Sequence, residues 1–168
     1  MEPSSNDVAL AVRGLTTTFR TDAGPLRAVD GVNFALRRGR ITAVVGESGC
    51  GKSVTAFSIM RLLPPSATMA GSVLLGSTVA LHECSAAAMR RHRGKDLAMV
   101  FQDAQTSLNP VLTVGLQLTE AITVHEPVSQ RMAVARAIAM LERVGVPDPE
   151  LRLRAYPHEL SGGMKQRV

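Results

Sequence analysis

Aromatic residues are scarce in this 168-residue chain, which holds four Phe, one Tyr and no Trp. A surface that stacks unpaired bases needs several exposed rings, so binding of single-stranded nucleic acid in that manner is not expected. Cysteine is nearly absent. Cys50 and Cys84 stand apart, with no C-x-x-C and no Cys/His ligand spacing. That argues against a metal centre and a disulfide framework, and it fits a reducing compartment. No apolar run approaches the length of about eighteen residues that a bilayer demands, so any membrane role must come through a partner. The opening Met1–Asp7 lacks the basic-then-apolar order of a secretory signal. Lysine is rare too: three of nineteen cationic side chains, so Arg carries the +5 net charge. The excess is spread out, eight basic against six acidic side chains in residues 1–84 and eleven against eight in 85–168, which excludes a polybasic arm. The densest cluster is Arg90, Arg91 and Arg93 with Lys95. It reads as a solvated helix face, with a patch that meets phosphate or a partner as the other reading.

What is present is an ordinary globular mix, 45% hydrophobic and 20% charged, enough for one domain or a one-core piece of a larger protein. Val8 to Phe19 reads as a strand. Thr21–Pro25 reads as a turn, and Leu26–Leu36 as further strand with Asp30-Gly31 as a hairpin turn inside it. Ile41–Val45 is apolar without alternation, as in a strand buried on both faces, and Leu97–Phe101 is a second such run. Helices are expected from about Lys52 to Leu63, stopped by Pro64-Pro65, and over Ala86–His92 behind a Ser85 cap. Gly71 to Val79 reads as another strand pair. Val111–Val124 is expected to be helical. A further helix runs from a Ser129 cap to Val144, with Met132, Ala135 and Ala139 on one face and Ile138 and Leu141 beside them. Gly145 suits the C-terminal cap of that helix, and Pro147 and Pro149 forbid its continuation. A last helix would begin after Ser161.

Gly46-Glu47-Ser48-Gly49-Cys50-Gly51-Lys52-Ser53 matches G-x-x-x-x-G-K-[ST] in full, between an expected strand and an expected helix. A random chain of this length matches about one time in two hundred, and the strand-loop-helix context lowers that further. Gly46, Gly49 and Gly51 free the backbone to turn N–H groups inward against a polyphosphate. Lys52 would reach the β- and γ-phosphates as a point charge, and the Ser53 hydroxyl would bind Mg2+. Cys50 fills a small position, and no base is placed to make it a nucleophile. Gln102 closes the second apolar run, at the kind of strand end where ligands bind in open parallel sheets. By itself it is no more than a polar strand cap. Leu160-Ser161-Gly162-Gly163 is, by itself, a common loop-to-helix junction with an anion-binding geometry.

Together these words resemble the ATP-binding subunit of an ABC transporter along essentially the whole chain. Gly46–Ser53 is similar to the Walker A motif, Gln102 to the Q-loop glutamine, and Leu160–Gln166 to the ABC signature. Ala28-Val29-Asp30-Gly31-Val32, Phe101-Gln102-Asp103, Thr106-Ser107-Leu108-Asn109-Pro110 and Tyr156-Pro157-His158-Glu159-Leu160 resemble the dipeptide/oligopeptide importer group. The resemblance implies an α/β P-loop fold: a parallel core sheet, an antiparallel β subdomain and a helical subdomain. Residues 1–103 would carry the core and P-loop, and residues 104–168 the helical subdomain. It implies ATP and Mg2+ as cofactors, held by Gly46 to Ser53 and Val54, with Lys52 and Gln102 in catalytic roles and Ser53 and Gln102 toward the metal. Phe19 is the candidate to stack on adenine.

The resemblance further implies a head-to-tail dimer with a second ATPase subunit. Ser161, Gly162 and Gly163 would there meet the γ-phosphate held by the partner. Integral membrane permease subunits would be direct partners, an extracytoplasmic solute-binding protein an indirect one, and nucleic acid none. The expected place is the cytoplasmic face of the inner membrane. The family's Walker B strand, catalytic Glu, D-loop and switch His follow the signature, whereas this sequence stops at Val168. A fragment is therefore expected, inactive alone, with ATP binding without hydrolysis as the alternative function. A third reading is an ABC ATPase of nucleic-acid repair or translation, and the importer words speak against it.

Overall fold

Alternating apolar and polar residues from Val8 onward build a long antiparallel hairpin, the frame of the N-terminal half. The computed structural model describes residues 7–76, 78–101 and 107–168. They fall into two compact units, one ending at Arg93 and the other starting at Gly94. The boundary expected at 103/104 lies within 102–106, outside the described residues.

In the first unit, β1 (Val8–Thr21) pairs with β2 (Gly24–Arg37) on one side and β3 (Ala67–Leu75) on the other. The short β4 (Val79–Ala80) completes a sheet of order β2-β1-β3-β4, antiparallel throughout. Leu10, Val12, Leu15, Val29 and Val73 are its buried apolar side chains. The hairpin turns at Thr21–Gly24, where the Thr21 hydroxyl donates to the Gly24 carbonyl at 2.7 Å. The turn expected at Asp30-Gly31 is absent, for β2 runs straight through it. Gly31 (φ +60) instead sits where the register against β1 shifts, an irregularity held by side chains. Its N–H donates to the Thr16 hydroxyl at 3.0 Å, and Asn33 Oδ1 accepts from the Gly14 N–H at 2.8 Å. A left-handed glycine inside a strand makes a bulge as readily as a turn, and the long facing strand decides between them.

Helix α1 (Lys52–Met60) ends earlier than Leu63, because Arg61 takes the left-handed conformation (φ 52). The N–H of Leu62 then reaches the Phe57 carbonyl and that of Arg61 the Ser58 carbonyl, a Schellman closure normally made by glycine. Helix α2 (Ala86–His92) starts on Ser85, whose hydroxyl accepts from the Ala88 N–H at 3.2 Å.

Neither expected buried strand forms. Residues 41–45 join no strand among the described residues, with Ile41 100% and Val45 88% exposed. In the second apolar run only Leu97 makes an isolated bridge, and Val100 is 96% exposed. The parallel core sheet is thus not assembled among the described residues. A strand buried on both faces exists only when neighbours supply its ladder bonds, and the described residues supply none.

The second unit is helical. Helix α3 (Val114–Thr123) begins at a Thr113 cap, later than the expected Val111. Helix α4 (Gln130–Arg143) begins at Ser129 as expected. Its buried face is Ala133, Ala137 and Leu141, with Val134 and Ile138 flanking, whereas Met132, Ala135 and Ala139 are exposed. Alanines at i and i+4 let a neighbouring helix approach, and that selects the opposite side from the one bearing Met132. Gly145 (φ +68) closes α4, with Val146 donating back to the Leu141 carbonyl. Helix α5 (Pro149–Arg154) was not expected. Pro149, beyond the end of α4, starts α5, where its missing N–H costs nothing. A 3-10 turn (Pro157–Glu159) leads to α6 (Gly162–Arg167), capped by Ser161. Val114, Ala137, Leu141, Val146, Leu153, Leu160 and Met164 form one apolar core.

Candidate functional site

The loop from Gly46 to Gly51, exposed up to Cys50 and half-buried at Gly51, joins the open stretch 41–45 to α1. Lys52, the first residue of α1, folds back over it. Its ammonium donates to the carbonyls of Gly46 (2.8 Å) and Glu47 (2.6 Å) and lies 3.5 Å from Cys50 Sγ. A cation is thereby fixed at the mouth of a loop of backbone amides. The three glycines serve three needs. Gly49 has φ +83 with open space around it. Gly46 leaves room for Cys50 Sγ, which would lie 2.6 Å from an added Cβ. Gly51 combines φ +90 with an approach so close that a Cβ would sit 2.4 Å from the Ala28 carbonyl oxygen on β2.

Gly51 also caps α1, and no side chain caps it in its place; the first turn holds no acidic residue. The N–H groups at that helix end are left for an anion, with the positive pole of the helix behind them. Ser53 is exposed in the first turn and Val54 half-buried behind it. Amides, an ammonium and a hydroxyl suit a polyphosphate with its cation. Among the described residues no three His, Cys, Asp or Glu gather into a metal cage. That is compatible with Mg2+, which keeps waters and takes phosphate oxygens rather than seeking an all-protein cage.

Phe19 lies half-buried on β1, opposite Leu26 on β2 and Ala67 on β3. Gln102 falls outside the described residues. In the second unit, the Ser161 hydroxyl accepts from the Met164 N–H at 3.3 Å. Gly162 and Gly163 are exposed, neither has a positive φ, and a Cβ on either would meet nothing within 4 Å. Nothing among the described residues requires glycine there, although glycine weakens a helix. Two polar anchors of α1 were not legible in the sequence. Ser58 Oγ and Thr17 Oγ1 share a buried hydrogen bond of 2.7 Å. Arg93, far from being solvated, reaches the last carbonyls of α1.

The family model described as ABC transporter matches residues 29–168. A probable peptide ABC transporter ATP-binding protein of Sinorhizobium fredii is 50% identical over 96% of this chain and 49% of its own length. The dipeptide transport ATP-binding protein of Bacillus subtilis is 49% identical over 95% of this chain and 48% of its own length. The chain thus spans about half the length of the curated relatives it matches. Among solved structures, a dimeric bacterial ABC transporter cassette superposes with a TM-score of 0.78 at 23% identity, over 94% of this chain and 66% of that one. A component of an ABC transporter complex from Clostridium perfringens gives 0.67 at 26% identity, over 96% and 59%.

Proposed function

Because this chain belongs to the ABC transporter family, we propose that it is the ATP-binding portion of a subunit that couples ATP binding and hydrolysis to import of peptides or related solutes. The observation that carries the reading is the cradle: Lys52 held over Gly46 and Glu47, at the uncapped start of α1. Gly46 to Ser53, with Val54, would hold the triphosphate. The Lys52 ammonium offsets its negative charge, and Ser53 offers its hydroxyl to the metal. Bound Mg2+ would screen the phosphate oxygens and orient them. Gln102 would sense the same phosphates, and Phe19 would stack on adenine.

Ser161, Gly162 and Gly163 would face the nucleotide of a second ATPase subunit across a head-to-tail dimer. Their openness supports this: bare backbone with space around it lets a ligand from outside the chain come close. The names of the peptide-transport relatives support permease partners in the membrane; a place on its cytoplasmic face and an indirect solute-binding partner belong to the same proposal. No helix among the described residues is long and apolar enough to cross a membrane. One observation favours a second reading, binding without hydrolysis by these residues alone. Glu47 is the only carboxylate within residues 46–54, and it is exposed.

Calorimetry with Mg-ATP tests the binding, and phosphate release tests the turnover. Saturable heat that Lys52→Ala abolishes, without loss of fold, is the expected result. Unchanged binding in Lys52→Ala would overturn the cradle. Steady Mg-dependent phosphate release from the 168-residue chain would reject the second reading.

A further inference from the structure

We propose that Arg93 is a positioning residue for the phosphate site, acting through the far end of α1; this rests on the nucleotide-binding reading above. Arg93 belongs to the basic cluster, yet the cluster divides. Arg90 and Arg91 are exposed, whereas the guanidinium of Arg93 is half-buried and donates from Nε to the Met60 carbonyl (2.8 Å) and from Nη2 to the Arg61 carbonyl (2.6 Å). These two carbonyls lie at the C-terminal end of the helix whose N-terminus carries Lys52 and Ser53. The main chain of Arg93 is held in turn by α2, its N–H donating to the Met89 carbonyl at 3.0 Å. Met89 is 1% exposed, so the clamp stands on a fixed base.

Arg61 is over-determined at the same point. It holds a left-handed backbone without being glycine, and its guanidinium donates to the carbonyls of Leu81 and Cys84. Strain of that kind persists only where surrounding bonds enforce it. Ser58 and Met60 are the buried residues of α1, and one of the two is polar, so hydrogen bonds share with apolar packing in fixing the direction of the helix. Its attachments include polar and steric ones along its whole length: Gly51 against Ala28 at the start, Ser58 on Thr17 further along, and Arg93 and Arg61 at the end. Removing the end clamp lets α1 swing about the Ser58 contact and displaces the first-turn amides. A guanidinium at the negative pole of α1 also favours negative charge at its other pole.

The test is Mg-ATP and Mg-ADP affinity of the full-length gene product, measured at a temperature where melting curves show it fully folded. Arg93→Gln is compared with Arg91→Gln, which removes the same charge from an exposed position. Arg93→Gln is expected to bind both nucleotides about threefold to tenfold more weakly, with Arg91→Gln unchanged. Arg93→Lys keeps the charge but cannot bridge both carbonyls, so it should recover part of the loss. A merely structural role would lower the melting temperature and leave these affinities alone. Affinity within twofold of the unmodified protein in Arg93→Gln overturns the proposal, as does an equal loss in Arg91→Gln. If Arg93→Gln does not fold, Arg93→Lys decides: affinity about twofold to fourfold weaker supports the clamp, and unchanged affinity overturns it. Failure of the unmodified protein to bind Mg-ATP would overturn the nucleotide-binding reading itself, and this proposal with it.

Discussion

Gly51→Ala tests the cradle most directly, because two separable effects meet at one position. The first is conformational. A side chain at φ +90 costs about 1–2 kcal/mol. The second is steric. The added Cβ would stand 2.4 Å from the Ala28 carbonyl oxygen, so the loop or β2 must give way by about 0.8 Å. Such overpacking costs about 1–3 kcal/mol. The sum, about 3 kcal/mol, corresponds to a fall of about 6–12 °C in melting temperature for a chain of this size. Gly49→Ala separates the two effects. Gly49 has a similar φ of +83 but nothing within 4 Å of an added Cβ, so only the conformational cost remains, about 1–2 kcal/mol. Urea unfolding of both variants reads the difference, and calorimetry with Mg-ATP reads the site. Gly51→Ala is expected to be the less stable by about 1–3 kcal/mol and to bind Mg-ATP more than about tenfold more weakly, since its amides are the ones displaced. Equal stabilities within about 0.5 kcal/mol would show that the approach of Gly51 to β2 is not what fixes the loop.

Gly163→Ala meets open space in a helical conformation, so it should leave stability unchanged or raise it by up to about 1 kcal/mol while weakening ATP-driven pairing, followed by size-exclusion chromatography. Ser161→Arg should block pairing outright, at the added cost of about 1 kcal/mol for the lost cap on Met164, with Mg-ATP binding by a single copy near normal. Ser58→Ala leaves the buried Thr17 hydroxyl without its 2.7 Å partner and should cost about 1–3 kcal/mol in urea unfolding. Leu141→Ala should cost about 2–5 kcal/mol, and Met132→Ala, half-exposed on the opposite side of α4, within about 0.5 kcal/mol of nothing; reversed costs would refute the assigned core face.

Local chemistry is legible in the sequence itself. Ser85, Ser129 and Ser161 cap the helices that follow them, because a cap needs only a hydroxyl and the next three residues. Gly145 terminates α4 for an equally local reason. The G-x-x-x-x-G-K-S loop was legible as a pattern, but the separate reason for each glycine was not. That Gly51 lies against Ala28 is a fact about packing between distant residues. Asp30-Gly31 shows the limit from the other side. The dipeptide is a turn signal, and a long partner strand turned it into a bulge. Residues 41–45 and 97–101 have strand composition, yet composition cannot provide the neighbours a strand requires. The fate of Arg93 was equally hidden, since one guanidinium reads alike whether it meets water or a helix end.

The unpaired stretch at residues 41–45 has a consequence for handling the molecule. It presents five successive backbone units with β-branched and small apolar side chains and, among the described residues, no partner strand. Such a ribbon adheres to any free edge it encounters, including a copy of itself. Stocks of the isolated chain should therefore cloud with rising concentration and bind fibril-sensing dyes. A charged residue at Val45, which is 88% exposed, would be the first change to make toward a clear solution.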